Sequence, residues 1–129
     1  MNYTETIDRI INELATGTPI SEALSTVYTK RKLYIPYKEE WFNIDVRDMD
    51  VDNRIINCLM RSKLRTLNDM MEFISDGEHK VIDIKNMGVI SGMKLMEYIL
   101  DYTWDHMDVK ERAEFLIDVV VTNERYLKA

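Results

Sequence analysis

The sequence predicts an all-α protein, a compact bundle of short helices, and three observations carry that prediction. Apolar residues recur at helical spacing in one segment after another. No alternating strand pattern lasts more than a few residues, and only two Pro and four Gly punctuate the chain. At 129 residues, with 46% apolar and 31% charged side chains, one ordinary domain with its own core is expected rather than a disordered chain. The expected layout is an N-terminal helical pair plus an extended aromatic strap over 1–46, a central module over 47–104, and a C-terminal helix over 105–129. All three are expected to form one compact unit.

Segment 3–16 reads as the first helix, because Ile7, Ile10, Ile11 and Leu14 fall at i, i+3, i+4 and i+7. Thr4 suits its N-cap, and Gly17 suits a left-handed stop. A second helix starts at once: Thr18 can cap, Pro19 suits the first helical position, and Glu22 suits the first turn. Its stripe is Ile20, Ala23, Leu24, Val27 and Tyr28, and the basic triplet Lys30-Arg31-Lys32 suits its end.

Residues 33–46 have no helical period, and Pro36 excludes a helix interior there. An extended strap with room for a short edge strand is expected. Five of the twelve aromatics lie between Tyr28 and Phe42. Two readings of them are open: they plug the strap onto the core, or they form a stacking or partner-binding surface beside Lys30, Arg31 and Lys32. Asp48-Met49-Asp50-Val51-Asp52 looks like half a calcium loop. The sixth and twelfth places hold Asn53 and Leu59 rather than Gly and Glu, so the run reads as a solvated entry with Asp52 as N-cap.

Four helical pieces follow. Asn53 to Arg61 carries Ile55, Ile56, Leu59 and Met60, and Leu67 to Ile74 carries Met70, Met71, Phe73 and Ile74. After a loop with Asp76-Gly77 comes a short piece around His79 to Ile84. Beyond the turn Asn86-Met87-Gly88, a longer helix runs from Val89 to Trp104 on Met93, Met96, Ile99 and Leu100. The last helix starts at Asp108 with Glu111 as a capping box. Its stripe is Ala113, Leu116, Val120 and Leu127, with Phe115 and Val119 alongside. The nine Met residues read as core filler.

Much chemistry is excluded. One cysteine, Cys58, gives no intramolecular disulfide and no Cys-based zinc site, and His79 and His106 add no metal-ligand spacing. No apolar run reaches a membrane span, and the N-terminus lacks the pattern of a secretory signal, so a soluble cytoplasmic protein is expected. No catalytic constellation is found. Ser91 lacks the surround of a nucleophile elbow, Cys58 lies among Ile, Leu and Met, and no Gly-rich phosphate loop exists. A non-enzymatic protein without metal or cofactor is expected.

The net charge of −6 and pI near 4.9 exclude an indiscriminate polycation. The acidity is even, each of the three segments carrying −2, so a small basic face remains open. Arg54 and Asn57, three apart, share a helix face that Arg61, Lys63 and Arg65 extend. Downstream, Lys85-Asn86-Met87-Gly88 turns directly into a helix, whose first N–H groups and Ser91 hydroxyl suit a phosphate. Gly88 would let a nucleic-acid backbone come close. Phosphate contacts of this kind position a module, and an Arg in the minor groove reads its width.

At these residues the chain resembles the C-terminal domain of the bacterial RNA polymerase alpha subunit. The resemblance rests on Asn53-Arg54-Ile55-Ile56-Asn57-Cys58-Leu59, on Leu67-Asn68-Asp69-Met70, and on Ile84-Lys85-Asn86-Met87-Gly88-Val89-Ile90-Ser91. It covers about residues 47–104. It implies a small helical module with a helix-hairpin-helix-like element that binds A·T-rich DNA through minor groove and phosphates. Arg54 would enter the groove. Asn57, Asn86, Gly88 and Ser91 would meet backbone or bridging water, and Cys58 would pack near the interface.

The departures are specific. Val89 and Ile90 replace two basic residues, Lys94 replaces an acidic one, and the loop around Asp76-Gly77 is about three residues longer. The subunit's assembly domain is absent. A transcription-related DNA-binding accessory protein is the expectation, with a transcription-related protein as a further partner. The alternative is a protein-interaction module that keeps the fold and has lost DNA binding.

Overall fold

A computed structural model describes residues 3–29, 33–35, 44–74 and 81–127. The basic triplet at 30–32, the strap from Pro36 to Asn43 and the Asp76-Gly77 loop with His79 lie outside the described residues. Among the described residues there are six α-helices and no strand, as the sequence predicts. They are α1 (Tyr3–Ala15), α2 (Ile20–Ser25), α3 (Asn53–Arg61), α4 (Leu67–Ile74), α5 (Val89–Asp105) and α6 (Val109–Thr122), with 3₁₀ turns at Val46–Asp48, Val81–Asp83 and Glu124–Tyr126.

Helix α1 packs on α2 and α6, and α2 packs on α5. One hydrophobic core draws on every helix through Ile10, Leu24, Leu59, Met71, Ile99 and Phe115. The N-terminal pair and the C-terminal helix are therefore built onto the central module.

The first two helices differ in detail from the sequence reading. Thr4 lies inside α1 rather than capping it, and Ile11 is 47% exposed while Thr6 is fully buried. The apolar stripe is wider than the face that α2 and α6 cover, so its Ile11 edge stays in water. Gly17 does take the left-handed stop, with φ +87°. Helix α2 ends at Ser25 and does not reach the basic triplet. The Ser25 and Thr26 hydroxyls donate to the carbonyls of Glu22 (2.6 Å) and Ala23 (2.7 Å), a local competition that disfavours another turn. The N-cap is Pro19 rather than Thr18, one place later than expected, and it offers no side-chain bond. Asp101 of α5 caps α2 instead: its carboxylate accepts from the Ser21 N–H (3.0 Å) and Ser21 Oγ (2.8 Å).

Beyond α2, Tyr28 forms an isolated antiparallel bridge with Leu127, and Asp45 forms another with Thr66. Leu33, Tyr34 and Ile35 are buried, which supports the plug reading for that part of the strap. The Tyr34 backbone is held by Asn123, a fully buried residue at the C-cap of α6. Asn123 Oδ1 accepts from Tyr34 N (2.6 Å), and Asn123 Nδ2 donates to the carbonyls of Tyr34 (2.8 Å) and Val119 (2.8 Å). The amide thus supplies the pairing that a neighbouring strand would otherwise give.

The last helix begins with the expected capping box. Asp108 Oδ1 accepts from the Glu111 N–H (2.8 Å), and Glu111 Oε1 accepts from the Asp108 N–H (3.1 Å). Phe115, Leu116, Val119 and Val120 are buried, but Ala113 is exposed, because α1 covers a face that excludes it. Leu127 lies beyond the helix, at the bridge to Tyr28.

The Tyr28 hydroxyl is buried without a hydrogen-bond partner among the described residues, and desolvation pushes its pKa up to about 12. An unpaired buried hydroxyl forfeits its water without recompense. Tyr28→Phe is therefore expected to leave stability unchanged or raise it by about 1 kcal/mol. A lowered denaturation midpoint would reveal a bond to this hydroxyl.

Candidate nucleic-acid interface

Helix α3 separates its faces cleanly. Ile55, Cys58 and Leu59 are buried, while Arg54, Asn57 and Arg61 are exposed on the other side. Asp52 is the N-cap residue, as expected, but makes no cap bond. Its carboxylate lies 3.5 Å from Lys94 Nζ on α5, so the acid nearest Arg54 in sequence faces a cation of its own. Arg61, Lys63 and Arg65 are all exposed where α3 gives way to α4. Lys63 has φ +61°.

The turn into α5 is built differently from what its glycine suggests. Asn86, not Gly88, takes the left-handed conformation, at φ +66°. Asn tolerates that region because its short amide bonds locally. Gly88 is extended (φ −72°, ψ 162°), it is the N-cap of α5, and a Cβ there would meet open space. Neither backbone nor packing within this chain demands glycine at that place. The first helical bond runs from Gly92 N to Gly88 O (2.8 Å), so the N–H groups of Val89, Ile90 and Ser91 have no helical acceptor. Ser91 is half-buried in that first turn.

Cys58 joins the two halves. Its thiol donates to the carbonyl of Lys85 (3.1 Å), fixing α3 against the turn. Burial pushes this thiol up, against the opposing pull of the Arg61 and Arg54 charges. At 8% exposure Cys58 is a pin beneath the surface. A pocket of about 430 Å³ lies between the two halves, lined by Arg61, Ser62, Leu64 and Phe73 on one side and Asp83, Ile84, Lys85 and Asn86 on the other. Of the six residues singled out from the sequence, Cys58 is joined to the carbonyl that precedes Asn86, and the other five lie on the two elements so joined. Arg54, Asn57, Asn86 and Gly88 are exposed, Ser91 is half-exposed, and Cys58 lies below them.

Val89 and Ile90 are 48% and 74% exposed, so neither is buried in the fold. They present apolar surface where the resemblance would place basic residues. A larger pocket, about 600 Å³, opens beside α2 and α5. Two of its charged groups, Asp101 and Arg112, are engaged within the fold. Asp101 caps α2, and Arg112 donates to the Trp104 carbonyl (3.0 Å) with its guanidinium 4.9 Å from the indole centroid.

Searched against protein-family models, curated proteins and solved structures, the chain matches none. Among the described residues no helix is long and apolar enough to cross a membrane. No cluster of three or more His, Cys, Asp or Glu there could hold a metal ion.

Missing from the sequence reading were the bond from the Cys58 thiol to the Lys85 carbonyl and the Asp52–Lys94 pair. Both connect residues more than 25 positions apart, and no local pattern announces them.

Proposed function

We propose that this protein is a small, non-enzymatic DNA-binding accessory factor, transcription-related, that contacts the minor groove and the adjoining phosphates. The observation that carries the reading is the Cys58–Lys85 hydrogen bond, which holds the Arg54–Asn57–Arg61 face beside the Asn86–Gly88 turn. A cationic face next to free helical N–H groups matches a duplex edge. Arg54 enters the groove, Asn57 and Asn86 bond backbone oxygens, and the first turn of α5 with Ser91 receives a phosphate. The helix-hairpin-helix-like likeness to the polymerase alpha C-terminal domain supports the same surface. The lost basic pair keeps affinity modest, since each missing phosphate contact lowers the salt slope by about one unit.

Polarisation titrations at low salt on an A·T-rich duplex test this. Arg54→Ala should weaken binding by about 1–3 kcal/mol, which is roughly fivefold to 150-fold. Gly88→Ala should leave the melting temperature unchanged, because a Cβ there meets open space, and should weaken binding by blocking close approach. Wild type and Arg54→Ala binding equally weakly would sink the proposal.

The exposure of Val89 and Ile90 favours a second reading, a protein-interaction module on the same fold. A protein partner held by wild type and released by Ile90→Lys, with no affinity for duplex DNA, selects it.

A further inference from the structure

Helix α6 exposes an apolar ridge along its whole length. Val109, Ala113, Ile117 and Val121 recur at i+4 steps, and all four are exposed, Val109 at 85%, Ile117 at 52% and Val121 at 51%. The buried side of the same helix, Phe115, Leu116, Val119 and Val120, already faces the core. At 3.6 residues per turn Val109 and Ala113 flank the buried Val120, and Ile117 and Val121 lie further round, so the ridge carries the apolar face of α6 well beyond what the core covers. Spread over about 18 Å of helix, it is too regular for the scattered apolar residues that any surface carries.

We propose that this ridge is the contact surface of a homodimer in which two copies of α6 cross antiparallel about a two-fold axis. The ridge is complementary to itself under that operation. Val109 meets the partner's Val121, and the small Ala113 lies opposite the partner's Ile117, which lets the helices approach closely. Ridges of i±4 type interdigitate at a crossing of about −50°, the commonest class in globular proteins. A two-fold axis makes the contact close on itself without growing into fibres.

Charge favours a second copy over an unrelated partner. The adjacent row of α6 carries Lys110 and Asp118, eight residues apart. Antiparallel pairing brings Lys110 of one copy toward the partner's Asp118, twice over. Glu114 lies midway in that row and stands near its own copy across the axis, so the dimer is weak and forms only at high concentration.

Sedimentation equilibrium of the full chain, from micromolar to near-millimolar, tests the proposal. The mass should rise from 15.3 kDa toward twice that value. Ile117→Lys should hold the mass at the monomer value, and its melting temperature when dilute should equal wild type. Lys110→Glu removes both symmetry-related pairs and should raise the dimer Kd up to about thirtyfold, as expected for two exposed ion pairs, and adding Asp118→Lys should restore it. A constant 15.3 kDa, or a dimer that Ile117→Lys leaves intact, overturns the proposal. So does failure of the double charge reversal to restore pairing, which would assign the ridge to a different partner. A lower melting temperature for dilute Ile117→Lys also overturns it, because the ridge would then be covered by the chain itself.

Discussion

Asn123→Leu is expected to lower folding stability by about 2–4 kcal/mol, although it replaces a polar residue with an apolar one of similar size. Burial alone would predict the opposite, since Asn123 is fully buried and leucine buries favourably. The hydrogen bonds decide the sign. The amide accepts from Tyr34 N and donates to the carbonyls of Tyr34 and Val119. The Val119 carbonyl still receives the Asn123 backbone N–H (3.0 Å), so its loss is partial. Tyr34 sits at 6% exposure, where water cannot replace the amide, and both of its backbone groups would lose their bond to Asn123. Each orphaned group costs about 1–3 kcal/mol. The Tyr34 segment should also loosen from the Tyr126 ring, whose centroid lies 5.6 Å from its own. Urea unfolding followed by tryptophan fluorescence gives the number. An unchanged midpoint would show that the strap is held by side-chain packing alone.

Ile99→Ala and Leu59→Ala should each cost about 2–5 kcal/mol. Both side chains are fully buried, one on α5 where α2 packs and one on the inner face of α3. The cost combines lost transfer energy with a cavity that the surrounding helices fill only in part. Ile11→Ala removes a similar side chain that is 47% exposed and should cost well under half as much. Equal effects at Ile11 and Ile99 would mean that the burial pattern is wrong. Leu59→Ala carries a further consequence, because Leu59 adjoins Cys58. If α3 shifts, the Cys58–Lys85 bond lengthens, and the proposed DNA affinity should fall along with stability.

The central module was legible because its signals are local. The α3 and α4 boundaries follow from apolar spacing, and the α6 start follows from Asp108 and Glu111 three residues apart. Patterning also identified Arg54, Asn57, Asn86, Gly88 and Ser91 as one group. It misjudged α2, where Ser25 and Thr26 turn back on the helix and Tyr28 leaves to pair with Leu127. It also placed Ala113 and Ile11 in the core. A stripe drawn from sequence has no knowledge of which partner helix covers it or how far round.

The sequence by itself determined the all-α class, the central helices and an even acidity with a small basic face, because each depends on residues within a turn or two of one another. Tertiary structure alone decided the rest. It caps α2 with Asp101, ties the strap through Asn123, pins α3 to the turn before α5 through Cys58 and Lys85, and leaves one side of α6 bare. A buried polar group must find its partner wherever the fold brings one within about 3 Å, and sequence spacing does not encode that distance.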